Sequence, residues 1–326
     1  MHFFLAKKIE SKAISIHEIA ETYRVKGNTL YKQYRDKISE YHTYIKSNQK
    51  AFNTEKFVFP KNFGPRMGID ETGLFGGDLY TVIVNKDKRG KKGSLAAIIK
   101  GTSSDAVGKA VGDKVGIERL MNIQEITLDL SNSMDWIVRQ IAPNAVKTYD
   151  RFHVEKLVYE ALQSVRIRHR WEAIEEEDSK PPKEYENGDS RKQLLSRSRY
   201  LLFKRSIHWT TEQALRARIL FREYPDIKKA YDLVNEFKET FIRPHDLARL
   251  HLQDWNKKVQ LAKIPELIVA ARTILKHATG ILNVIINGES NAAVENFNSK
   301  IKDLFYRIRG VNNKNMFFFR LLNLYA

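Results

Sequence analysis

Two periods of hydrophobic and polar positions alternate along this chain, and the points where one gives way to the other divide it into elements. Residues 66–84, Arg-Met-Gly-Ile-Asp-Glu-Thr-Gly-Leu-Phe-Gly-Gly-Asp-Leu-Tyr-Thr-Val-Ile-Val, read as a strand, a Gly-rich turn and a second strand. A basic turn over Asn85 to Gly93 leads to a third strand, Ser94 to Ile99. Helical spacing then runs from 103 to 121 through Ala106, Val107, Ala110, Val115 and Leu120, and Glu125 to Leu130 returns to strand. Ser131 or Asn132 is a good N-cap for a helix to Ala142 with Trp136, Ile137 and Ile141 on its apolar face, and Pro143-Asn144 stops it. A fifth strand, Ala145 to Tyr149, leads into Asp150-Arg151-Phe152-His153. From Val154 to about Gly280 the pattern is helical, interrupted by an acidic, Pro-containing stretch from Glu172 to Arg191 that reads as an exposed loop. Leu194, Leu195, Leu201, Leu202, Phe203, Leu215, Ile219, Leu220 and Phe237 supply its core, and Trp209 and Trp255 read as core rather than as stacking platforms.

Shorter helical patterns occupy both ends. Ile16, Ile19, Ala20, Tyr23, Val25, Leu30, Tyr31, Tyr34 and Ile38 predict a helix, a break at Lys26-Gly27-Asn28 and a second helix, which is helix-turn-helix spacing. Arg24 stands where that turn often has glycine, and an ordinary helical hairpin gives the same pattern. Towards the other end, Ser290 or Asn291 caps a helix that Gly310 closes. Val294, Phe297, Ile301, Leu304, Phe305 and Ile308 form its apolar stripe, while Glu295, Asn298, Lys302 and Arg309 fall near one another on another face. Glu295 sits in the first turn, where the helix dipole favours an anion whatever its function.

Charge changes the picture. The 326 residues carry 56 Lys plus Arg against 39 Asp plus Glu, net +17, with a pI near 9.7, as expected of a protein that meets a polyanion. Nucleic acid is the leading partner, since no run of about 18 apolar residues offers a membrane span. Residues 1–65 alone hold 12 basic and 6 acidic side chains, so Arg24, Lys26, Lys32 and Arg35 are candidate phosphate contacts, with Asn298, Lys302 and Arg309 from the late helix. The apolar part of the first eight residues is too short for a signal peptide, and zero cysteines exclude disulfides and thiolate zinc sites, so a cytoplasmic, nucleoid-associated protein is expected.

Asp70 is flanked by small and apolar residues on the first strand. A carboxylate on a central strand is costly to bury, and it is kept where it holds a cation or does chemistry. Its structural alternative is an Asp at a loop edge opening a hairpin at Gly73. Three antiparallel strands, helix, strand, helix, strand is the order of an α/β ribonuclease H-like core. In such a core the first and fourth strands are neighbours, so Asp70 and Asp129 can share one metal site. Asp150 is the rival, one strand further out and so about 4.8 Å sideways.

Gly-Ile-Asp70-Glu-Thr, Leu-Asp129-Leu-Ser, Asp150-Arg-Phe-His153-Val and Ser290-Asn-Ala-Ala-Val-Glu295-Asn-Phe-Asn-Ser-Lys-Ile-Lys, in this order, resemble a DDE-type bacterial insertion-sequence transposase of the ISL-three family. The resemblance covers roughly residues 66–326. It implies metal-dependent DNA strand cleavage and strand transfer, with Asp70, Asp129 and Glu295 as the metal triad. Three carboxylates can hold two Mg²⁺ ions about 4 Å apart, with Mn²⁺ as a substitute, and Asp70 would bridge both. Asp150 and His153 stand behind the ligands, where His153 either orients the scissile phosphate or satisfies a buried hydrogen bond. Partners would be double-stranded DNA, as element ends and target, and further copies of the chain in a homodimer or larger complex. The implied domains are a helix-turn-helix-like arm at 1–60, the core at 66–153, a helical insertion at 154–280, and the rest of the core with the Glu helix at 281–326. Longer members carry a Cys-rich zinc-binding segment, and no cysteine occurs here. The alternatives are a ribonuclease H-like nuclease or resolvase without strand transfer, and a catalytically inactive DNA-binding relative. A two-carboxylate glycosidase fits the net charge poorly.

Overall fold

The computed structural model describes residues 2–179, 184–288, 291–308 and 313–326. The helices α1 (His2–Ser11), α2 (Ile16–Thr22), α3 (Gly27–Gln33), α4 (Tyr41–Ser47) and α5 (Gln49–Thr54) open the chain. The strands are β1 (Lys56–Val58), β2 (Arg66–Leu74), β3 (Asp78–Asn85), β4 (Leu95–Lys100), β5 (Glu125–Leu128) and β6 (Val146–Tyr149). Between β4 and β5 lie α6 (Ser104–Val115) and α7 (Ile117–Met121), and between β5 and β6 lies α8 (Asn132–Ile141). Then follow α9 (Arg151–Ser179), α10 (Arg191–Arg197), α11 (Thr211–Glu223), α12 (Pro225–Lys238), α13 (His245–Ala262), α14 (Pro265–Lys276) and α15 (Ala278–Asn287). The last are α16 (Ala292–Arg307) and α17 (Lys314–Tyr325). Contacts divide the chain into two units, Met1–Thr148 with Ser290–Ala326, and Tyr149–Glu289.

The first unit is built on a mixed six-stranded sheet in the order β1-β4-β3-β2-β5-β6. β2, β3 and β4 form an antiparallel meander, β5 joins β2 in parallel, and β1 closes the edge against β4. β1 has no counterpart in the sequence reading because three residues, Lys-Phe-Val, are too few to show a period. The meander follows from the turn at Gly76 and Gly77, whose φ values of 80° and 116° only glycine adopts without strain. Both faces of the sheet are apolar. Tyr80, Val82 and Val84 pack under Phe297, Ile301 and Leu304 of α16 and Phe317, Phe318 and Leu321 of α17, while Met67, Ile69 and Ile83 are buried on the opposite face. In α8 the buried stripe is Met134, Ile137, Val138 and Ile141, and Ser131 caps its start by accepting from Met134 N–H. Trp136 departs from the expected apolar face. It is 57% exposed, with the Arg139 guanidinium over its ring.

α17 is apolar nearly all round because it has two partners. One side joins the sheet core, and Met316 and Phe319 on the other enter a second core with Leu5, Ile9, Ile16, Ile19, Leu30, Tyr34 and Tyr41. Arg320, 2% exposed, donates from Nη2 to the carbonyls of Ile9 (2.9 Å) and Lys12 (3.2 Å), satisfying the C-terminal end of α1. Burial lowers its pKa to about 10. The first 60 residues, expected as an arm of their own, therefore share a core with the end of the chain. Hydrophobic period alone cannot show this, since it reports which face is apolar and not what covers it.

Between α2 and α3 the turn lies at Tyr23 to Lys26, just before the expected break. Val25 N–H bonds Ala20 O at 2.9 Å and Arg24 N–H bonds Glu21 O at 3.1 Å, which is a Schellman closure with Arg24 at its left-handed position, φ 52°. Gly27 is needed for a different reason, because a Cβ there would fall 2.3 Å from the His17 ring.

The second unit is helical, as its pattern predicts, and begins at Tyr149 rather than 154. α9 packs against α10, α12 and α14. Trp255 is fully buried and donates to Leu233 O at 2.8 Å, and Trp209 is half-buried. Phe203 is 41% exposed, outside the core expected of it. The stretch expected as an exposed loop is partly helical, because α9 continues to Ser179. It also ends on a buried anchor, Asp189, whose carboxylate binds Arg197 and, at 2.7 Å, Arg216. Burial works to raise the Asp189 pKa, but the two guanidiniums outweigh it and hold it below the usual range. Among the described residues no single helix is long and apolar enough to cross a membrane. α14 and α15 together reach that length but meet at a bend of 67°.

Candidate functional site

The parallel pairing of β2 with β5 sets Arg66 opposite Glu125, Met67 opposite Ile126 and Gly68 opposite Thr127. Carried two residues further, the same register sets Asp129, directly after β5, opposite Asp70. Neighbouring strands lie about 4.8 Å apart, and residues two apart share a face, so Gly68, Asp70, Thr127 and Asp129 belong to one side of the sheet.

α16 covers that side. Gly68 makes room for it, since a Cβ there would fall 2.3 Å from Val294 Cγ2 and 2.9 Å from Thr127 Oγ1. Seated so closely, the helix reaches both carboxylates with amides. Asn298 Nδ2 donates to Asp70 Oδ2 at 2.7 Å, and Asn291 Nδ2 donates to Asp129 Oδ1 at 3.2 Å. Thr127 Oγ1 fixes the Asn291 amide by donating to its Oδ1 at 3.1 Å, and the Glu71 N–H donates to Asp70 Oδ1 at 2.7 Å. Positions 291, 295 and 298 form one stripe of the helix, so exposed Glu295 stands on the stripe between the two asparagines.

Negative charge dominates here. No Lys or Arg ion-pairs with Asp70 or Glu295 among the described residues. Burial first, and then the Asp70 charge, raise the pKa of Glu71 above its ordinary value. Asn298 Oδ1 is buried without a hydrogen-bond partner, an acceptor facing no donor. Carboxylate oxygens of this kind are hard donors that suit a divalent cation. The ligand oxygens of Asp70, Asp129 and Glu295 are not drawn into one tight cluster.

Asn291 was expected as a helix cap and Asn298 as a DNA contact. Asn291 does hold the cap position, but it makes no side-chain cap because its amide is engaged by Asp129 and Thr127. Asn298 is 5% exposed and turned to Asp70, so it does not face solvent as a DNA contact would. The sequence held a signal for both, amides four residues before and three after Glu295, where the helix meets the sheet. Arg24, Lys26, Lys32 and Lys302 are exposed. Arg35 is engaged with Asp36 at 2.5 and 2.8 Å and lies over the Tyr31 ring. Arg309, like the expected cap Ser290 and the closing Gly310, lies outside the described residues. Asp150 follows β6 and is 5% exposed, with Oδ2 3.2 Å from His153 Nδ1 and Oδ1 accepting from the Phe152 N–H. These two belong to the second unit.

A mixed sheet that sets two carboxylates side by side on its central parallel strands, under a helix bringing a third, defines an α/β protein with an oxygen-donor site. The family model described as a transposase, of the DDE, ISL-three type, matches residues 67–321, and the chain belongs to that family. Two transposases for an insertion sequence element, IS1557, from Mycobacterium tuberculosis strains CDC 1551 / Oshkosh and ATCC 25618 / H37Rv, are each 27% identical to it over 248 residues. The match covers 73% of this chain and 54% of each relative, so the chain spans about half the length of the curated relatives it matches. No solved structure matches it.

Proposed function

We propose that this chain is a DDE transposase that cleaves DNA strands at the ends of an insertion element and joins the freed 3′ ends to target DNA. In this reading Asp70, Asp129 and Glu295 hold the metal ions. The observation that carries it is the amide pair of α16. One helix binds both strand-end carboxylates through Asn298 and Asn291 while presenting Glu295 on the same stripe. Two buried amides given to two carboxylates orient those carboxylates, which is what a metal site asks of the groups around its ligands. The strand order β4-β3-β2-β5-β6, with its antiparallel meander and parallel fourth strand, supports a ribonuclease H-like core. The α2–α3 pair with Arg24, Lys26 and Lys32 on its surface supports a helix-turn-helix contact to duplex DNA.

Asp70, Asp129 and Glu295 would hold two Mg²⁺ ions, or Mn²⁺ in their place, which when bound would supply positive charge for an in-line displacement at phosphorus. The chain's own part is orientation. Asn298 and the Glu71 N–H hold the two oxygens of Asp70, and Asn291, itself fixed by Thr127, holds Asp129. Glu295 is exposed and free to turn towards them, and Lys302 extends the same helix with a cation suited to a DNA phosphate. No side-chain nucleophile is required, since a water or a 3′-hydroxyl attacks.

The test is an assay on duplex DNA carrying the inverted repeat that flanks the gene. Asp70→Asn, Asp129→Asn and Glu295→Gln each abolish Mg²⁺-dependent cleavage and joining while DNA binding survives. Asp150→Asn, which changes one partner of His153, lowers activity less. Inactive Asp150→Asn beside active Asp129→Asn would move the second carboxylate to Asp150. Cleavage without joined product would make the protein a nuclease or resolvase, and normal cleavage by all four variants would end the proposal.

A further inference from the structure

A groove in the second unit has a composition that helical packing does not require. It has a volume of about 790 Å³, within the ~300–1,000 Å³ range of ligand sites, and runs along α9 towards α10. Phe152, Trp171 and Phe203 line it with exposures of 66%, 58% and 41%, far above those of core aromatics. Arg166, Arg170 and Arg199 line it too. Arg166 is only 5% exposed, and its guanidinium donates to Gln163 Oε1 (2.7 Å) and Leu195 O (3.0 Å), both neutral acceptors. Burial, then the like charges of Arg170 and Arg199, lower its pKa to about 10. Arg170 Nε is buried without a hydrogen-bond partner. Among the described residues none of the three guanidiniums ion-pairs with a carboxylate. Glu155 and Glu160 also line the groove, but they are taken by Arg151 at 2.7 Å and Lys156 at 3.7 Å.

A buried cation is held with a counter-charge or against a large desolvation cost. Arg166 is such a cation, and with Arg170 and exposed Arg199 beside it the groove offers an entering anion three guanidiniums that no carboxylate pairs among the described residues. The aromatic faces beside them add that the ligand carries flat apolar surface next to its charge. We propose that this groove binds an unpaired stretch of a DNA strand, with a backbone phosphate at Arg166, Arg170 and Arg199 and a base stacked on Trp171. Stacking on a side chain requires a base outside a duplex, and it tolerates any sequence because every base has a π-face. Phosphate on planar guanidinium forks and base on indole are the pairings that unpaired nucleic acid makes with proteins. The inference rests on the proposed action on DNA and adds the strand state that the helical unit recognises.

The experiment measures binding of the full chain to a labelled single-stranded oligonucleotide and to the matching duplex by fluorescence anisotropy across a salt series. Trp171→Ala should weaken single-strand binding about tenfold, the value of one stacked base, and Trp171→Phe should restore most of it. Arg170→Gln should weaken it and reduce the slope of log affinity against log salt by about 0.7, one phosphate contact on a single strand. Duplex binding and melting temperature should change little for the exposed Trp171 substitutions. Wild-type single-strand affinity in both Trp171→Ala and Arg170→Gln would overturn the proposal, even with duplex binding and cleavage intact. A shift in oligomeric state with unchanged single-strand affinity would overturn it in favour of a protein contact. A wild-type chain that binds neither form of DNA would instead remove the transposase reading on which it rests.

Discussion

Gly68→Ala is the smallest change that separates the seating of α16 from the chemistry of the carboxylates it touches. The added methyl would meet Val294 Cγ2 at 2.3 Å and Thr127 Oγ1 at 2.9 Å, distances that carbon does not tolerate, so helix or strand must move by about 1 Å. Overpacking of this kind costs about 1–3 kcal/mol. Val294→Ala removes the clashing methyl group and by itself costs about 2 kcal/mol for a fully buried valine. Combined, the two changes should destabilise by clearly less than their sum, because the new methyl fills the space that Val294 leaves and only its 2.9 Å approach to Thr127 Oγ1 remains. The coupling between the two sites is then on the order of 1 kcal/mol, where additive behaviour would give zero. Thermal unfolding reads this as a double-mutant cycle, with about 2–4 °C of melting temperature per kcal/mol for a unit of this size. Activity should fall further than stability in Gly68→Ala, by about 100-fold. A helix lifted by about 1 Å withdraws Asn298 and Asn291 from Asp70 and Asp129, and misplacement on that scale is expensive in a metal-dependent displacement. A Gly68→Ala protein that melts like the wild type, or a cycle that adds without coupling, would refute the account of how α16 is placed.

Deletion of residues 1–60 should not leave an intact catalytic core. It strips Met316 and Phe319 of their cover and Arg320 of its acceptors, so the truncated chain should aggregate or bind a hydrophobic dye, and a soluble fragment with the parent melting curve would contradict the shared core. Asp70→Asn should raise metal-free stability at pH 7. The Glu71 pKa is raised in the folded protein by burial and then by the Asp70 charge, so the fold takes up a proton more readily than the unfolded chain, and stability falls as pH rises from the ordinary carboxylate pKa through the raised one. Removing Asp70 removes the second cause, so the gain should be present above that window and vanish below it, as melts from pH 3 to 8 would show. Arg24→Gly should stabilise the first unit by about 1 kcal/mol, because Arg24 holds φ 52° where glycine has no steric penalty, and an unchanged or lower denaturation midpoint would argue against strain at that turn.

The legible part of this fold is the part encoded by local rules. The hairpin at 66–84 appeared because the run of Gly-Gly between two β-rich segments admits few conformations, and β2 and β3 end within a residue or two of where the alternation breaks. Asp70 and Asp129 could be paired on paper because strand order fixes neighbours, and the register of Gly68 opposite Thr127, carried two residues on, is in keeping with that pairing. Illegible features are those in which one residue serves two neighbours that sequence separates widely. Asn291 has the position of a helix cap and a side chain committed to Asp129, and propensity rules see only the first. Phe319 and Phe318 are adjacent in one apolar run, yet one enters the core of the N-terminal helices and the other that of the sheet. Trp136 and Phe203 erred in the opposite sense, since an aromatic residue at helical spacing is usually core and here is exposed. The buried arginine of the groove escaped for a related reason. Arg166 lies on a helix dense in charge, and only the packing around it distinguishes a solvated cation from one withdrawn from water without a counter-ion. Composition placed net +17 on the chain, but it took the fold to separate cations that are merely exposed, such as Lys26 and Lys32, from those held in a built site. The two kinds should answer differently to salt. On the proposed reading, exposed lysines would contribute additive, sequence-blind phosphate contacts to duplex DNA, whereas arginines preassembled beside aromatic faces would bind a strand whose bases are already unpaired.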